Sequence, residues 1–424
     1  MTAKGYSRFS SVVLWSVISA AFIGPGTVTT ALSAGALFQL NLLWAVVFAT
    51  AACLVLQEVA ARIIIVSGWD MGRAIEHHFG KAGAVMKQLV AVPVLLGCAA
   101  YEAGNILGAV SGFALLFSVP AAWVTTAVTL AAAAILWQGG SQRVSWVMTA
   151  LVGIMGVAFF YLALRSDVSA REVARAAAVP TWPANSSWVI LALVGTTIVP
   201  YNIFIGSAVS KGQTLPLMRI GLAISVLIGG LITAWILLAG TALRSFVSFA
   251  ELAAHFEESI GRMGVWMLGL GLFAAGFSSA ITSPYAASLI ARSVFHWKNV
   301  WHVRLLWLAV LVTGFAFGIS GVKPIPIILA VQALNGLVLP MLAYCLLTMV
   351  NNPAIVPRTE RPGVVYNGVL LLVFAMVLLI GLSNVDKGIR GLFSWPGDYS
   401  WGIVSVSMAV VLWAGVSIFR YGNK

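Results

Sequence analysis

Apolar runs near 20 residues recur along the chain, the length that a helix needs to cross a bilayer core of about 30 Å. This rule gives about twelve spans, centred near Gly24, Cys53, Gly104, Leu130, Met155, Pro200, Leu231, Gly276, Val312, Ala333, Val373 and Ala409. The longest polar stretches between them are Ser67 to Lys87, Arg165 to Ser187, Ser245 to Arg262 and Asp386 to Ser400. Most linkers are short, so the pattern predicts one bundled unit over residues 1–424, an all-α integral membrane protein. The start from Met1 to Ser11 runs straight into a span too long for a signal-peptide core, so the first hydrophobic segment is expected to be retained.

Two spans are interrupted at mid-depth. In the first, Gly24-Pro25-Gly26 is followed by the hydroxyls of Thr27, Thr29 and Thr30; in the sixth, Val199-Pro200-Tyr201-Asn202 follows Thr196 and Thr197. Proline removes a backbone donor and glycine adds freedom, so both breaks leave amides and carbonyls needing partners in a medium without water. The breaks open spans one to five (11–164) and six to ten (187–350), two five-helix halves that would enter the membrane from opposite sides. Two further spans follow over 364–420. Paired interruptions of this kind point to the central site of a transporter.

Composition supports the membrane reading. Hydrophobic residues make up 61% and charged residues 8% of the chain, against about a quarter charged in soluble domains. The net charge of +12 is spread singly between apolar runs, unlike the clustered footprint of a nucleic-acid binder. It is better read as orientation. With both termini in the cytoplasm, roughly 16 Lys and Arg fall on the inner side and roughly 8 on the outer. Cys53, Cys98 and Cys345 form no disulfide or zinc spacing, and the five histidines read as loop or membrane-edge residues. No nucleophile elbow, phosphate loop or zinc motif supports an enzyme, and no cofactor or obligatory protein partner is implied.

Around the first break the chain reads Gly24-Pro25-Gly26-Thr27, then Leu56-Gln57 and Ala60-Ala61-Arg62. Around the second it reads Gly195-Thr196-Thr197-Ile198-Val199-Pro200-Tyr201-Asn202. Ser278-Ser279-Ala280-Ile281-Thr282 and Gln332-Ala333-Leu334-Asn335-Gly336 follow. These segments resemble the Nramp family of proton-coupled divalent-metal transporters, which implies a LeuT-like 5+5 inverted repeat with helices 1 and 6 broken. The resemblance also implies where the family's ligands should be. Its metal-binding Asp falls on Gly24, its Asn on Thr27, its Met on Val199, its His on Tyr201, and the acidic residue of its third span on Asn105.

Divalent manganese or iron prefers carboxylate, imidazole or, for softer ions, thioether ligands, and all have gone from these positions. Half-helix N-termini carry partial positive charge and suit a substrate carboxylate. The expected substrate set is therefore Gly24, Gly26, Thr27, Thr196, Thr197, Val199, Tyr201, Asn202, Gln332 and Asn335. It would take a small organic solute, carboxylate or amino-acid-like, by alternating access. The Gly-Pro-Gly-Thr break resembles a branch of the family associated with 5-oxoprolinase genes, which implies pyroglutamate as a candidate. The alternatives are import of magnesium, manganese or iron as in the parent family, and a membrane sensor that binds a solute without carrying it.

Among ionisable groups, Glu58 and Glu102 are deep in spans, where such groups are functional candidates by default. Glu58 has Arg62 four residues on, the favourable order for a helical ion pair. Glu102, with Asn105 one turn on, is the expected proton-coupling site. Ser278, Ser279 and Thr282 are the expected ligands if sodium couples instead. The repeat Gly104, Gly108, Gly112 reads as close helix packing.

Overall fold

The computed structural model describes the backbone of residues 8–138, 141–243, 248–393 and 400–422, with the side chains of 8, 141, 142, 326, 329–337, 380, 384, 387–393, 400, 417 and 419–422 left aside. The first crossing is made of two half-helices, α1 (Arg8–Phe22) and α2 (Pro25–Phe38). At 1.5 Å per residue these reach only about 22 and 21 Å, so neither spans a core of about 30 Å alone. Four continuous crossings follow: α3 (Leu43–Ser67), α5 (Gly83–Ala114), α6 (Ala121–Gln138) and α7 (Ser141–Ala163). The sixth crossing is broken again, into α9 (Ser187–Thr197) and α10 (Pro200–Ser210). Then come α11 (Leu215–Gly240), α13 (Arg262–Ser293), α14 (Val300–Ile319) and α15 (Pro324–Val350), and the pair α16 (Val364–Phe393) and α17 (Ser400–Gly422). Four crossings lie between the two broken helices, so the second enters from the opposite face to the first.

The expected polar stretches fold as short helices: α4 (Met71–Phe79), α8 (Ala170–Ala178) and α12 (Phe249–Ile260). Each begins at a side-chain cap that takes an orphan amide of the first turn. Asp70 accepts from the Arg73 amide at 2.8 Å, and Ser248 from the Glu251 amide at 3.1 Å. Ser169 and Glu172 form a reciprocal capping box; Ser169 donating to Glu172 holds that carboxyl below its usual range. The fourth stretch differs from expectation. From Asp386 the chain stays helical to Phe393, because a helix satisfies its own backbone whether or not its side chains are apolar.

The glycines of α5 have the packing role their spacing predicts. A side chain at Gly108 would run into the ring of Pro25, and one at Gly112 into the backbone of Phe273 and Gly269. From the other side, Gly276 of α13 lies against the backbone of Ala109. Backbone approach of this kind is how helices associate when lipid removes the usual hydrophobic drive.

Glu58, on α3, ties three helices together. Its Oε1 accepts from Arg62 Nη2 at 2.7 Å and from Arg219 Nε of α11 at 3.0 Å, and its Oε2 accepts from the Tyr366 hydroxyl of α16 at 2.8 Å. Arg62 also donates to the Glu360 carbonyl at 3.0 Å and lies over the Tyr366 ring. Removing one partner of a buried pair leaves the other charge uncompensated. Glu58→Ala is expected to cost about 3 kcal/mol of stability, read as a lower unfolding temperature in detergent. An unchanged midpoint would reject this role.

Candidate functional site

The site is best approached through the backbone accounting at the first break. An α-helix leaves its last four carbonyls without intrahelical donors, and those of α1 point into the protein centre. Each finds a donor here. The Ser19 carbonyl accepts from the Ile23 amide at 3.0 Å. The Ala20 carbonyl accepts from Ser278 Oγ at 3.3 Å, and the Ala21 carbonyl from the Tyr201 hydroxyl at 3.2 Å. The Phe22 carbonyl accepts from Thr27 Oγ1. Three side chains expected as ligands thus also close the broken end of α1. Tyr201 does so from the other broken helix, which couples the two breaks directly.

The remaining predicted hydroxyls divide in the same way. Thr196 and Thr197 both bond the Leu193 carbonyl at 3.0 Å, one turn back in α9, and Thr282 bonds the Ser279 carbonyl at 3.3 Å. Their oxygens are occupied locally. Gln332 and Asn335, also expected at the site, lie outside the described side chains.

A smaller set is buried with nothing to bond. Both carboxamide atoms of Asn202, the hydroxyls of Ser279, Thr29 and Thr30, and Glu102 Oε1 have no partner. Asn202 and Ser279 are each 1% exposed. Leaving a buried polar group unmade costs about 1–3 kcal/mol, so an unpaired amide at a helix break is a place where a ligand is expected. Gly24, Ser279 and Asn105 meet at the first break: a Cβ on Gly24 would fall 2.7 Å from Ser279 Oγ and 3.8 Å from Asn105 Oδ1. Asn105 Nδ2 in turn donates to Glu102 Oε2 at 3.3 Å. Glu102 itself is fully buried against Gly314 of α14.

The first turns of α2 and α10 complete the site. Each begins with proline, and no side chain caps either one. The amides of Gly26, Thr27 and Tyr201 therefore have no acceptor within their own helices, and two positive helix ends converge on the centre. Among the described residues no group of three or more His, Cys, Asp or Glu could hold a metal ion.

A vestibule of about 200 Å³ lies at the end of the bundle where α10 and α13 finish. Ser207, Lys211, Leu289, Arg292 and Asp70 are among its lining residues. Asp70 is already engaged as the cap of α4, so the wall presents two cations against one occupied carboxylate. Sequence reasoning missed this feature, and also Gln57, whose unpartnered Oε1 faces Gly206 of α10. These residues come from helices far apart in the chain, and no local spacing brings them together.

Three comparisons bear on this geometry. The family model described as "Natural resistance-associated macrophage protein-like" matches residues 16–385. A divalent metal cation transporter MntH of Verminephrobacter eiseniae is 26% identical over 77% of each chain. The metal transporter Nramp3 of Oryza sativa is 24% identical over 96% of this chain and 80% of its own. Among solved structures, a manganese transporter of Eremococcus coleocola in complex with an aromatic bis-isothiourea compound superposes with a TM-score of 0.78 at 20% identity, covering 99% of this chain and 97% of that one. The nucleobase-cation-symport-1 transporter MHP1, with bromovinylhydantoin bound, does so at 0.59 and 14% identity, over 97% and 96%. The fold is thus the LeuT-like inverted repeat, with its first and sixth helices broken.

The tight approach at Gly24 makes a direct test of the site. Gly24→Ala is expected to destabilise the protein and Ser279→Ala to cost little. The double variant should recover part of the loss, with a coupling of about 1 kcal/mol in a thermal-unfolding cycle. Strict additivity would mean that the two residues do not meet.

Proposed function

The chain belongs to the natural resistance-associated macrophage protein family, and we propose that it is a secondary transporter whose passenger is a small organic anion, coupled to protons through Glu102. The transporter function follows from the family and the fold. The choice of passenger rests on one observation: at the two breaks themselves the unpartnered groups are uncapped helix amides and the neutral side chains of Asn202 and Ser279, and neither break carries a carboxylate. A divalent ion stripped of water at the breaks would meet neutral groups there, which is costly, and the nearby carboxyl of Glu102 is already bonded to Asn105 through one oxygen. An organic carboxylate would instead accept from the amides of Gly26, Thr27 and Tyr201 and from Ser279 and Asn202.

The vestibule agrees with this reading. Lys211 and Arg292 would raise the local concentration of an anion and lower that of a cation. The position of the lost acid at Gly24 is also crowded: Ser279 Oγ lies 2.7 Å from where the first carbon of any side chain there would go. Ser278 and Thr282 already donate to carbonyls, so sodium coupling is the less supported of the two ion choices. In the expected orientation both termini face the cytoplasm, and the protein resides in the inner membrane.

Divalent-cation import is the second reading. It is favoured by what the relatives are named to carry and by Glu102, whose Oε1 is unpartnered at depth.

The two readings separate in a thermal-shift screen of purified protein. At 100 times Kd a true ligand stabilises by about 2.7 kcal/mol. Small carboxylates, 5-oxoproline among them, are expected to raise the unfolding temperature and to exchange across proteoliposomes, while manganese and magnesium do neither. Stabilisation by manganese alone would overturn the anion reading.

Substitutions test the roles. Asn202→Ala is expected to weaken binding about tenfold or more, the loss of a hydrogen bond to a charged group. Glu102→Gln should flatten the pH dependence of uptake, and an unchanged profile would remove Glu102 from proton coupling.

A further inference from the structure

A second cavity lies away from the breaks, at the ends of four crossings. It holds about 380 Å³ between the end of α6, the start of α7, the end of α13 and the start of α14. The crossings alternate in direction, so this is the face on which α1 begins. Trp137, Gln138, Tyr285, Ser288, Arg292 and Arg304 supply its polar and aromatic lining.

Its charge has one sign. No Asp or Glu lines the cavity, and among the described residues no carboxylate pairs with Arg292 or Arg304. The Arg304 guanidinium is held 4.1 Å over the Trp137 ring and 5.3 Å from that of Trp301, an arrangement that fixes a cation while leaving its N–H groups free. Arg143 adds a third charge at the mouth, donating to Gln138 Oε1 at 3.0 Å. Planar forks of this kind match phosphate oxygens bidentately.

The surroundings name the source of the phosphate. Trp301 is 60% exposed and Trp137 46%, as expected of aromatic side chains at the level of lipid headgroups. About two turns from the cavity toward the membrane centre, α6 exposes Leu130 and α14 exposes Val312, and Leu305 is exposed beside Arg304. A ligand with a phosphate head in the cavity could lay its tails along those apolar faces. Basic pockets between membrane helices hold anionic headgroups for this reason. We propose that the cavity bounded by Arg292 and Arg304 binds the phosphate of an anionic phospholipid. Arg292 also lines the vestibule described above, so the two cavities share a wall. The proposal does not depend on what the transporter carries.

Native mass spectrometry of the full-length protein in mild detergent tests it, with phosphatidylglycerol, chain-matched phosphatidylcholine and soluble glycerol 1-phosphate as probes. The wild type is expected to retain phosphatidylglycerol over phosphatidylcholine. The double variant Arg143→Gln with Arg304→Gln should hold it about tenfold less well, from two lost cation contacts at the membrane surface. Glycerol 1-phosphate at equal concentration should not displace the lipid. Equal retention of the two lipids, undiminished retention by the variant, or displacement by glycerol 1-phosphate would each overturn the proposal, the last by assigning the cavity to a soluble phosphate. If the double variant does not fold, Arg304→Gln alone is read, and retention equal to wild type overturns it.

Discussion

In a bilayer every backbone amide and carbonyl has to find a partner within the protein, and at the centre of this molecule two helices stop short of doing so. Everything at the site follows from how those ends are closed. The carbonyl end of α1 is closed completely, by Ile23, Ser278, Tyr201 and Thr27. The amide ends of α2 and α10 are left uncapped. At the first break, then, the carbonyls that end α1 are used up, while the amides that begin α2 and α10 are not. That contrast is the backbone's contribution to what the site can receive.

Holding such ends together requires close packing around them. Pro25, which starts α2, rests in the gap that Gly108 leaves in α5, and α13 approaches α5 through Gly276 and Gly112. Ser278 and Ser279 are carried to the break on that same α13. The small residues thus do more than permit contact, because they fix the distance at which hydroxyls of one helix meet carbonyls of another. The Glu58 cluster performs a related task nearer the membrane edge, joining the first half, the second half and the C-terminal pair through one carboxylate.

Much of this was legible in the sequence. Hydropathy located the crossings because a helix in lipid needs a fixed length, and Gly24-Pro25-Gly26 and Val199-Pro200 marked the breaks because proline cannot continue a hydrogen-bond ladder. The Glu58 and Arg62 pair was readable from its spacing of four. The division of labour among the polar residues was not readable. Thr27, Tyr201 and Asn202 look equally suited to bind a ligand on paper, yet two of them close α1 and the third bonds nothing through its side chain. That distinction depends on which carbonyl lies within reach across the fold. The vestibule cations Lys211 and Arg292 were hidden for the same reason.

The same contrast also bears on how a carrier returns empty. A transporter has to reorient with and without its passenger, and an empty site with many unpaired groups would trap the loaded form. Here the carbonyls that would otherwise be most exposed are satisfied by hydroxyls of the protein itself, so emptying the site leaves only a few groups bare, Asn202 and Ser279 among them. At about 1–3 kcal/mol for each unmade bond, that remainder is comparable to the differential binding with which a ligand shifts a two-state equilibrium. A cation would have to displace the hydroxyls from the carbonyls before using them, adding the loss of those bonds to its own dehydration. On the anion reading proposed above, the passenger would take its bonds from amides that are already free, so the geometry that tolerates the empty state would suit it as well.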